Sequence, residues 1–573
     1  MSLFSRLART LPLVVSAAAL CAFAAVPAAA ASRIDEQYRA DAHASAFTRT
    51  ATNMRIPVRD PGPPPGAQVL RYRFGPLTIR PGQNLIDVDL QKERPNVDGW
   101  IVGFRPGLVD ARTGKSPPVT EVHLHHAVWL VDFRPTFAAG EEKTNFSAPQ
   151  GYGWRYTTRQ MWLVNHMIHD LVGQPHQVYL TYELYFIPDS APEAAGVREI
   201  RTQWMDVQGV KPYPVFNALK GSGTRGKFAY PDQAKDPYPD RPAGSPRNQW
   251  VADRDATLVL AAGHLHPGGL WTDLTVTRAG RTVRVFRSRA NYYEPSGAVS
   301  WDVAMSATGP DWRVQIRRGD VLAVNATYDT SRASWYEVMG IMITGITVGD
   351  EGGVDPFTGQ VDQSDFLTHG RLRENVEPPG TRRRNPGYSN AVKLRQGPFV
   401  SKVVIRNFGF APGDLTMPGR SGLPPSVAQG SSLTFVNRDE PATVRFHTVT
   451  ACRAPCDRGS GISFPLADGA GLFDSGELGF GPAIGTVGLG GGGGGYGDAS
   501  VPGSPVIDVP AAREDCEEGG PTGLINAVKT GCIGRLSWKT PRDLSPGTYT
   551  YFCRIHPFMR GAFRVVPKQR LKN

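Results

Sequence analysis

The chain has 573 residues, 40% of them apolar and 20% charged, which is enough for roughly two to four packed domains and excludes a peptide-sized scaffold. Its 64 glycines and 49 prolines exceed the usual share, pointing to many short strands joined by turns and away from a long-helix bundle. The formal charge of +11 comes from scattered basic residues, so it reads as solubility, with no nucleic-acid partner expected.

At the N-terminus, Arg6 and Arg9 precede an apolar stretch from Leu11 to Val26, then Pro27 and alanines ending at Ala31. That is the pattern of a cleaved secretory signal over residues 1–31, and it predicts a secreted or periplasmic protein. No later segment offers the ~18 consecutive apolar residues of a membrane span, so no integral membrane segment is expected after signal removal. Residues 32–66 read as an N-terminal extension.

From about residue 67 to 350 short alternating runs dominate, for example Val178-Tyr179-Leu180-Thr181-Tyr182-Glu183-Leu184, bounded by Gly, Pro and Asp. Such period-2 patterns predict strands, hence an all-β region. Nine of the twelve histidines lie between residues 123 and 369, and five of those fall in two tight motifs. The first is His123-Leu124-His125-His126. The second is Gly263-His264-Leu265-His266-Pro267-Gly268-Gly269. Side chains at i and i+2 of a strand share a face, so His264 and His266 can reach one metal, as can His123 and His125. His125 and His126 point apart in a regular strand, and joint ligation needs a bulge. Imidazole suits zinc, copper and iron alike, so these motifs indicate a metal without naming it. Trp162-Leu163-Val164-Asn165-His166-Met167-Ile168-His169 and Glu337-Val338-Met339-Gly340-Ile341-Met342 add further donors, of which Met339 and Met342 cannot share a face of one strand.

This order of paired His, lone His, His-x-His and Met resembles the copper type II, ascorbate-dependent monooxygenases, the family of peptidylglycine α-hydroxylating monooxygenase and dopamine β-monooxygenase. The resemblance implies two jelly-roll-like β-sandwiches, residues 67–195 and 196–350, each holding one copper, with a solvent-filled cleft between. It implies His125 and His126 at the electron-transfer copper, with His169, or alternatively His166, as third ligand. It implies His264, His266 and Met339 at the copper that binds dioxygen, these three being the catalytic residues of a C–H hydroxylation. A small-molecule or peptide substrate and an external electron donor would be its partners. Unlike the disulfide-rich animal enzymes, the mature region before Cys452 has no cysteine.

Residues 351–395 contain Pro356, Pro378, Pro379, Pro386 and the run Arg382, Arg383, Arg384, and read as a linker in which His369 has no assigned role. Beyond it, residues 396–569 hold all the cysteines that survive signal removal: Cys452, Cys456, Cys516, Cys532 and Cys553. An odd number in an oxidising compartment leaves one thiol unpaired or ligating. Cys553 begins Cys553-Arg554-Ile555-His556-Pro557-Phe558-Met559, a thiolate, an imidazole and a thioether within seven residues. Such soft donors select copper, and a blue-copper site needs a second His, for which His447 is the remaining histidine of this region. The loop resembles that of the amicyanin and plastocyanin group of cupredoxins. The resemblance implies a Greek-key β-sandwich with a type 1 copper on His447, Cys553, His556 and Met559, beside one or two type 2 coppers further upstream. An insertion over about 450–535, with a glycine run from Gly490 to Gly495, exceeds a minimal cupredoxin, and the other four cysteines allow three disulfide pairings. The competing reading is a non-enzymatic copper carrier or electron-transfer protein.

Overall fold

The structure, a computed structural model, describes residues 57–81, 85–119, 121–171, 174–210, 214–238, 246–293, 303–331, 333–372, 389–417, 419–439, 446–452, 472–476, 478–479, 483–488, 536–554, 556 and 559–568. The secretory signal, the 382–384 arginine run, Cys456, Cys516, Cys532 and the 490–495 glycine run lie outside the described residues. Within them every regular element is a strand except two short 3-10 turns, Pro192–Gly196 and Gly419–Gly422. The fold is therefore all-β, as the alternating sequence predicts. No helix among the described residues is long and apolar enough to cross a membrane.

The first body is a two-sheet sandwich. One sheet runs Gln68–Ile79, His176–Pro188, Gly99–Asp110, Tyr152–Tyr156, Arg198–Glu199, and the other runs Leu85–Leu90, Trp162–Asp170, Val122–Val131, Arg134–Ala139. The His176–Pro188 strand shows why: Val178, Leu180, Tyr182 and Leu184 are buried and alternate with half-buried Tyr179, Thr181 and Glu183, while the end of the strand from Leu184 on is buried throughout. The rings they meet are close-packed, with Phe104 stacked on Phe137 at 4.5 Å between centroids and edge-on to Trp129 at 4.8 Å. Each such ring removed from water contributes about 1.5–3 kcal/mol. Beyond Leu85–Leu90 the second sheet gains a parallel strand, Ala483–Gly488, from the C-terminal part of the chain.

The second body is one large sheet that runs Arg201–Asp206, Gly340–Val348, Ala256–Leu265, Val303–Thr308, Arg281–Tyr292, Gly269–Arg278, Val321–Asp329 and Lys227–Tyr230, with shorter strands at its margins. Every residue of Ala256–Leu265 is buried. Leu258, Ala261 and Leu265 pack into the body's own core, whereas Val259, Leu260 and Ala262 join the core of the first body. A strand apolar on both faces must be covered on both. The solvent-filled cleft that the monooxygenase resemblance implies is replaced in this region by shared apolar packing.

Residues 351–372 depart from the linker expected at 351–395. Asp365–Leu367 pairs with Val303–Thr308, Phe357 and Val361 pack on the second core, and ion pairs Arg278–Asp355, Arg317–Asp355 and Arg289–Asp365 hold the segment down. Prolines and charges read as solvated chain, yet here the charges find partners on the second sheet.

The third body packs two four-stranded sheets, Gly409–Ala411, Lys402–Arg406, Thr434–Asn437, Ser537–Lys539 against Ser426–Ala428, Arg560–Val566, Gly547–Phe552, Thr450–Cys452. Phe435, Tyr551, Phe563 and Phe473 fill the space between them. This body is seated on the second. Cys452 and Phe552 join the second body's core cluster, and the Arg554 guanidinium lies over Trp335 and Tyr336 at 5.3 and 5.2 Å from the ring centroids while donating to the Ser334 carbonyl.

Candidate metal centres

The Gly547–Phe552 strand ends just before Cys553, and Phe552 pairs with Arg560, so that the two ends of the ligand segment, Cys553 and Met559, meet at the sheet end. Two backbone bonds fix its shape: Cys553 N–H donates to the Met559 carbonyl at 3.1 Å, and Met559 N–H to the His556 carbonyl at 2.8 Å. The Phe446–His447 strand supplies the distant donor. Cys553 Sγ then lies 3.9 Å from His447 Nδ1 and 3.6 Å from His556 Nδ1, with the two nitrogens 3.3 Å apart. A triangle with those sides has its centre about 2.1 Å from every corner, close to the length of a metal–imidazole bond. The donor set thus fits a metal ion, and His447, Cys553 and His556 are fully or almost fully buried.

Outer contacts orient these donors. His447 Nε2–H donates to Asp439 Oδ2 at 2.7 Å, which leaves Nδ1 toward the site. Burial alone would push the His447 imidazole down, but the Asp439 and Cys553 partners outweigh it and hold it up at about 9. Thr448 N–H approaches Cys553 Sγ at 3.4 Å, and Phe408 stands edge-on to both imidazoles. Met559 is 1% exposed and packs in the same core cluster as Cys553. Cys553 is a free thiol and Cys452 is disulfide-bonded, its partner lying outside the described residues.

The upstream histidines converge on one place. The Val122–Val131 strand pairs antiparallel with Trp162–Asp170, setting His123 opposite His169, and the register shifts between Leu124 and His126. His125 is the extra residue of that bulge, the irregularity its joint use with His126 requires. The two Nδ1 atoms lie 3.2 Å apart. Ring centroids are 4.8 Å apart for His123 and His169, 5.0 Å for His125 and His169, 4.5 Å for His125 and His266, and 5.2 Å for His264 and His266. The paired-His and His-x-His sets, expected on separate domains at separate coppers, therefore form one contiguous cluster between the bodies, joined by His123. His166 points elsewhere, donating from Nε2 to Asp89 Oδ2 at 3.0 Å. Of the two thioethers, Met339 lines a cavity together with His264, whereas Met342 is buried in the second body's core.

Burial, reinforced by neighbouring imidazoles, pushes His123, His125 and His266 well below the ordinary range. Burial likewise pushes His126 down to about 3 and His169 to about 4. These rings are neutral at physiological pH, the state in which imidazole ligates. His169 Nε2 and His264 Nε2 are buried and have no hydrogen-bond partner, which suits them to a metal.

Several residues that hold this cluster carry no sequence signal of their own. Glu142 Oε1 accepts from His264 Nδ1–H at 2.8 Å and from Gly140 N–H at 2.9 Å. Burial opposes its ionisation, but the His264 imidazole and these hydrogen bonds hold the carboxyl below the ordinary range. Glu141 Oε2 accepts the Leu124 N–H at the bulge at 2.9 Å, and Asn165 Oδ1 accepts from His126 Nε2–H at 2.9 Å. Tyr328 Oη accepts the His266 N–H at 3.1 Å and donates to the Met339 carbonyl at 2.6 Å, tying the His-x-His segment to the methionine. Gly268, at φ +92°, packs under Trp335, where a Cβ would lie 2.4 Å from the indole. His369, given no role in the sequence, is buried with Nε2 on the Glu142 carbonyl. Glu142→Ala should weaken metal binding at His264 by about 10–100-fold in a competitive chelator titration, and an unchanged affinity would remove Glu142 from the site.

No family model matches this chain, and no curated protein does. Among solved structures, the major capsid protein P2 from bacteriophage PM2 is similar over 50% of this chain and 100% of its own, at 8% identity and a TM-score of 0.21. PNGase F, a glycosylasparaginase from Flavobacterium meningosepticum, is similar over 52% of this chain and 95% of its own, at 7% identity and a TM-score of 0.14. Likenesses so slight carry no argument about fold or function.

Proposed function

We propose that the chain is a secreted or periplasmic copper-dependent monooxygenase with a built-in blue-copper electron-transfer module. Copper held by these donors would supply one-electron transfer and dioxygen activation. His447, Cys553, His556 and Met559 would hold the type 1 ion, with His125, His126, His169, His264, His266 and Met339 holding one or two type 2 ions. The overall balance is R–H + O2 + 2 e⁻ + 2 H⁺ → R–OH + H2O, with both electrons drawn from an external one-electron donor. The observation that carries the enzyme reading is the cavity that His264 and Met339 line between the facing sheets. An organic molecule bound there would lie against the proposed catalytic donors, with apolar walls excluding water. Glu142 keeps His264 in one tautomer, and the disulfide at Cys452 supports an oxidising compartment.

One observation favours the second reading, a copper carrier or electron-transfer protein without catalysis: the two histidine sets adjoin, with His125 and His266 rings 4.5 Å apart. Metal analysis with optical and EPR spectra, together with oxygen uptake under a one-electron reductant, separates the two. A blue thiolate band, type 2 signals and reductant-dependent oxygen uptake coupled to product are expected of the enzyme. Bound copper without oxygen uptake would leave the carrier reading.

A further inference from the structure

The cavity beside His264 has a volume of about 270 Å³ and is walled by Val128, Leu130, Ala139, Phe146, Ile341 and Ile343, from the first body's second sheet, the chain just after it and the second body's Gly340–Val348 strand. An apolar cavity of ~150 Å³ holds benzene, so in proportion this one suits a molecule of about eleven non-hydrogen atoms. Among the described residues its lining contains no lysine and no arginine. A carboxylate or phosphate would therefore be stripped of water without a cation to meet it, a loss that hydrocarbon contacts cannot offset. Its one acid, Glu142, is already engaged by His264 and Gly140. Asn165 is likewise held by His126. These two polar groups thus serve the histidine cluster, and apart from the Thr144 hydroxyl, a neutral group, what remains for a ligand is mainly apolar surface. Val210, 68% exposed and also part of the lining, marks where the cavity meets solvent and gives a ligand its way in.

We infer that this cavity binds a neutral, mainly hydrocarbon molecule of bicyclic-aromatic or similar size, with one edge toward His264 and Met339. Its role as the substrate site rests on the monooxygenase reading, whereas the binding itself does not. A substrate of this class offers C–H bonds and no charged anchor. Charged peptide ends and phosphorylated metabolites are accordingly the wrong chemistry for it.

Naphthalene and its anionic analogue 2-naphthoate test this on the full chain, as purified and again after chelation, through quenching of tryptophan fluorescence, since Trp204 lines the cavity. Saturable one-to-one naphthalene binding is expected in both forms, with 2-naphthoate at least tenfold weaker at neutral pH. Ala139→Phe, which fills the cavity, should weaken naphthalene binding at least tenfold while leaving the blue absorption unchanged. Naphthoate binding as tightly as naphthalene, or neither probe saturating, would overturn the assignment. Should Ala139→Phe fail to fold, the ratio between the two probes on the unaltered chain still decides. Binding without copper-dependent oxidation of the bound hydrocarbon would instead sink the monooxygenase reading and leave the site standing.

Discussion

If the proposed type 1 copper is bound, Cys553→Ser should bleach the protein. The intense visible absorption of a blue-copper site arises from a thiolate bonded to Cu(II), and a serine hydroxyl neither ionises at neutral pH nor gives that transition. Cys553 Sγ is the sulfur corner of the His447–Cys553–His556 triangle, so its loss removes the band entirely rather than shifting it. The fold should survive, because the exchange is nearly isosteric and the Thr448 N–H that faces Sγ can meet an oxygen instead. Signals from the upstream histidines should be unchanged, since no donor is shared between the two centres. Turnover with an external donor should fall steeply if electrons enter through the third body. Unaltered turnover with every reductant tried would show that the third body is not the entry point.

The second large effect is acid lability of the metal-free protein. His126 and His169 are held down to about 3 and about 4 in the folded chain. Below the ordinary imidazole value of ~6.5 the unfolded chain takes up protons on these rings and the folded chain does not, so unfolding becomes progressively easier as pH falls. This stability is fully present above pH ~6.5 and is lost as pH drops toward the folded values. At ~1.4 kcal/mol per unit per group, the two rings together cost about 6 kcal/mol by pH 4. That compares with a total of ~5–15 kcal/mol for a typical domain. Urea titrations of the chelated full chain between pH 7 and pH 4, followed by tryptophan fluorescence, measure it. A midpoint that does not move over this range would contradict the buried, neutral state of the cluster.

The C-terminal donors were legible because local chemistry writes them together. A cysteine, a histidine and a methionine within seven residues after a strand leave one missing ligand, and the region offers one other histidine. The upstream cluster was legible only in part. Period-2 spacing put His264 and His266 on one face, and the clash between adjacent His125 and His126 called for a bulge that the pairing with Trp162–Asp170 supplies. The choice between His166 and His169 depends on that pairing register, which spacing within one strand does not encode. Glu142 stayed hidden because Gly140-Glu141-Glu142-Lys143 reads as a solvated charged turn and becomes buried only when the second body's His264 arrives beside it, 122 residues away in sequence. The merging of the two histidine sets was hidden for the same reason, being a property of sheet-against-sheet packing. The extra length attributed to a linker likewise follows from Asp355 and Asp365, whose arginine partners lie far off in sequence.

The parallel pairing of Ala483–Gly488 with Leu85–Leu90 bears on how the chain is made. A ribosome completes the first body's strands long before residue 483 emerges, and the contact that covers that sheet margin spans roughly 400 residues, a late and slow closure. Until then the Leu85–Leu90 margin presents unpaired backbone groups to any neighbouring nascent chain. Fragments cut before the third body should accordingly be sticky, and the C-terminal part of the chain doubles as the cap that makes the rest of the protein safe to release.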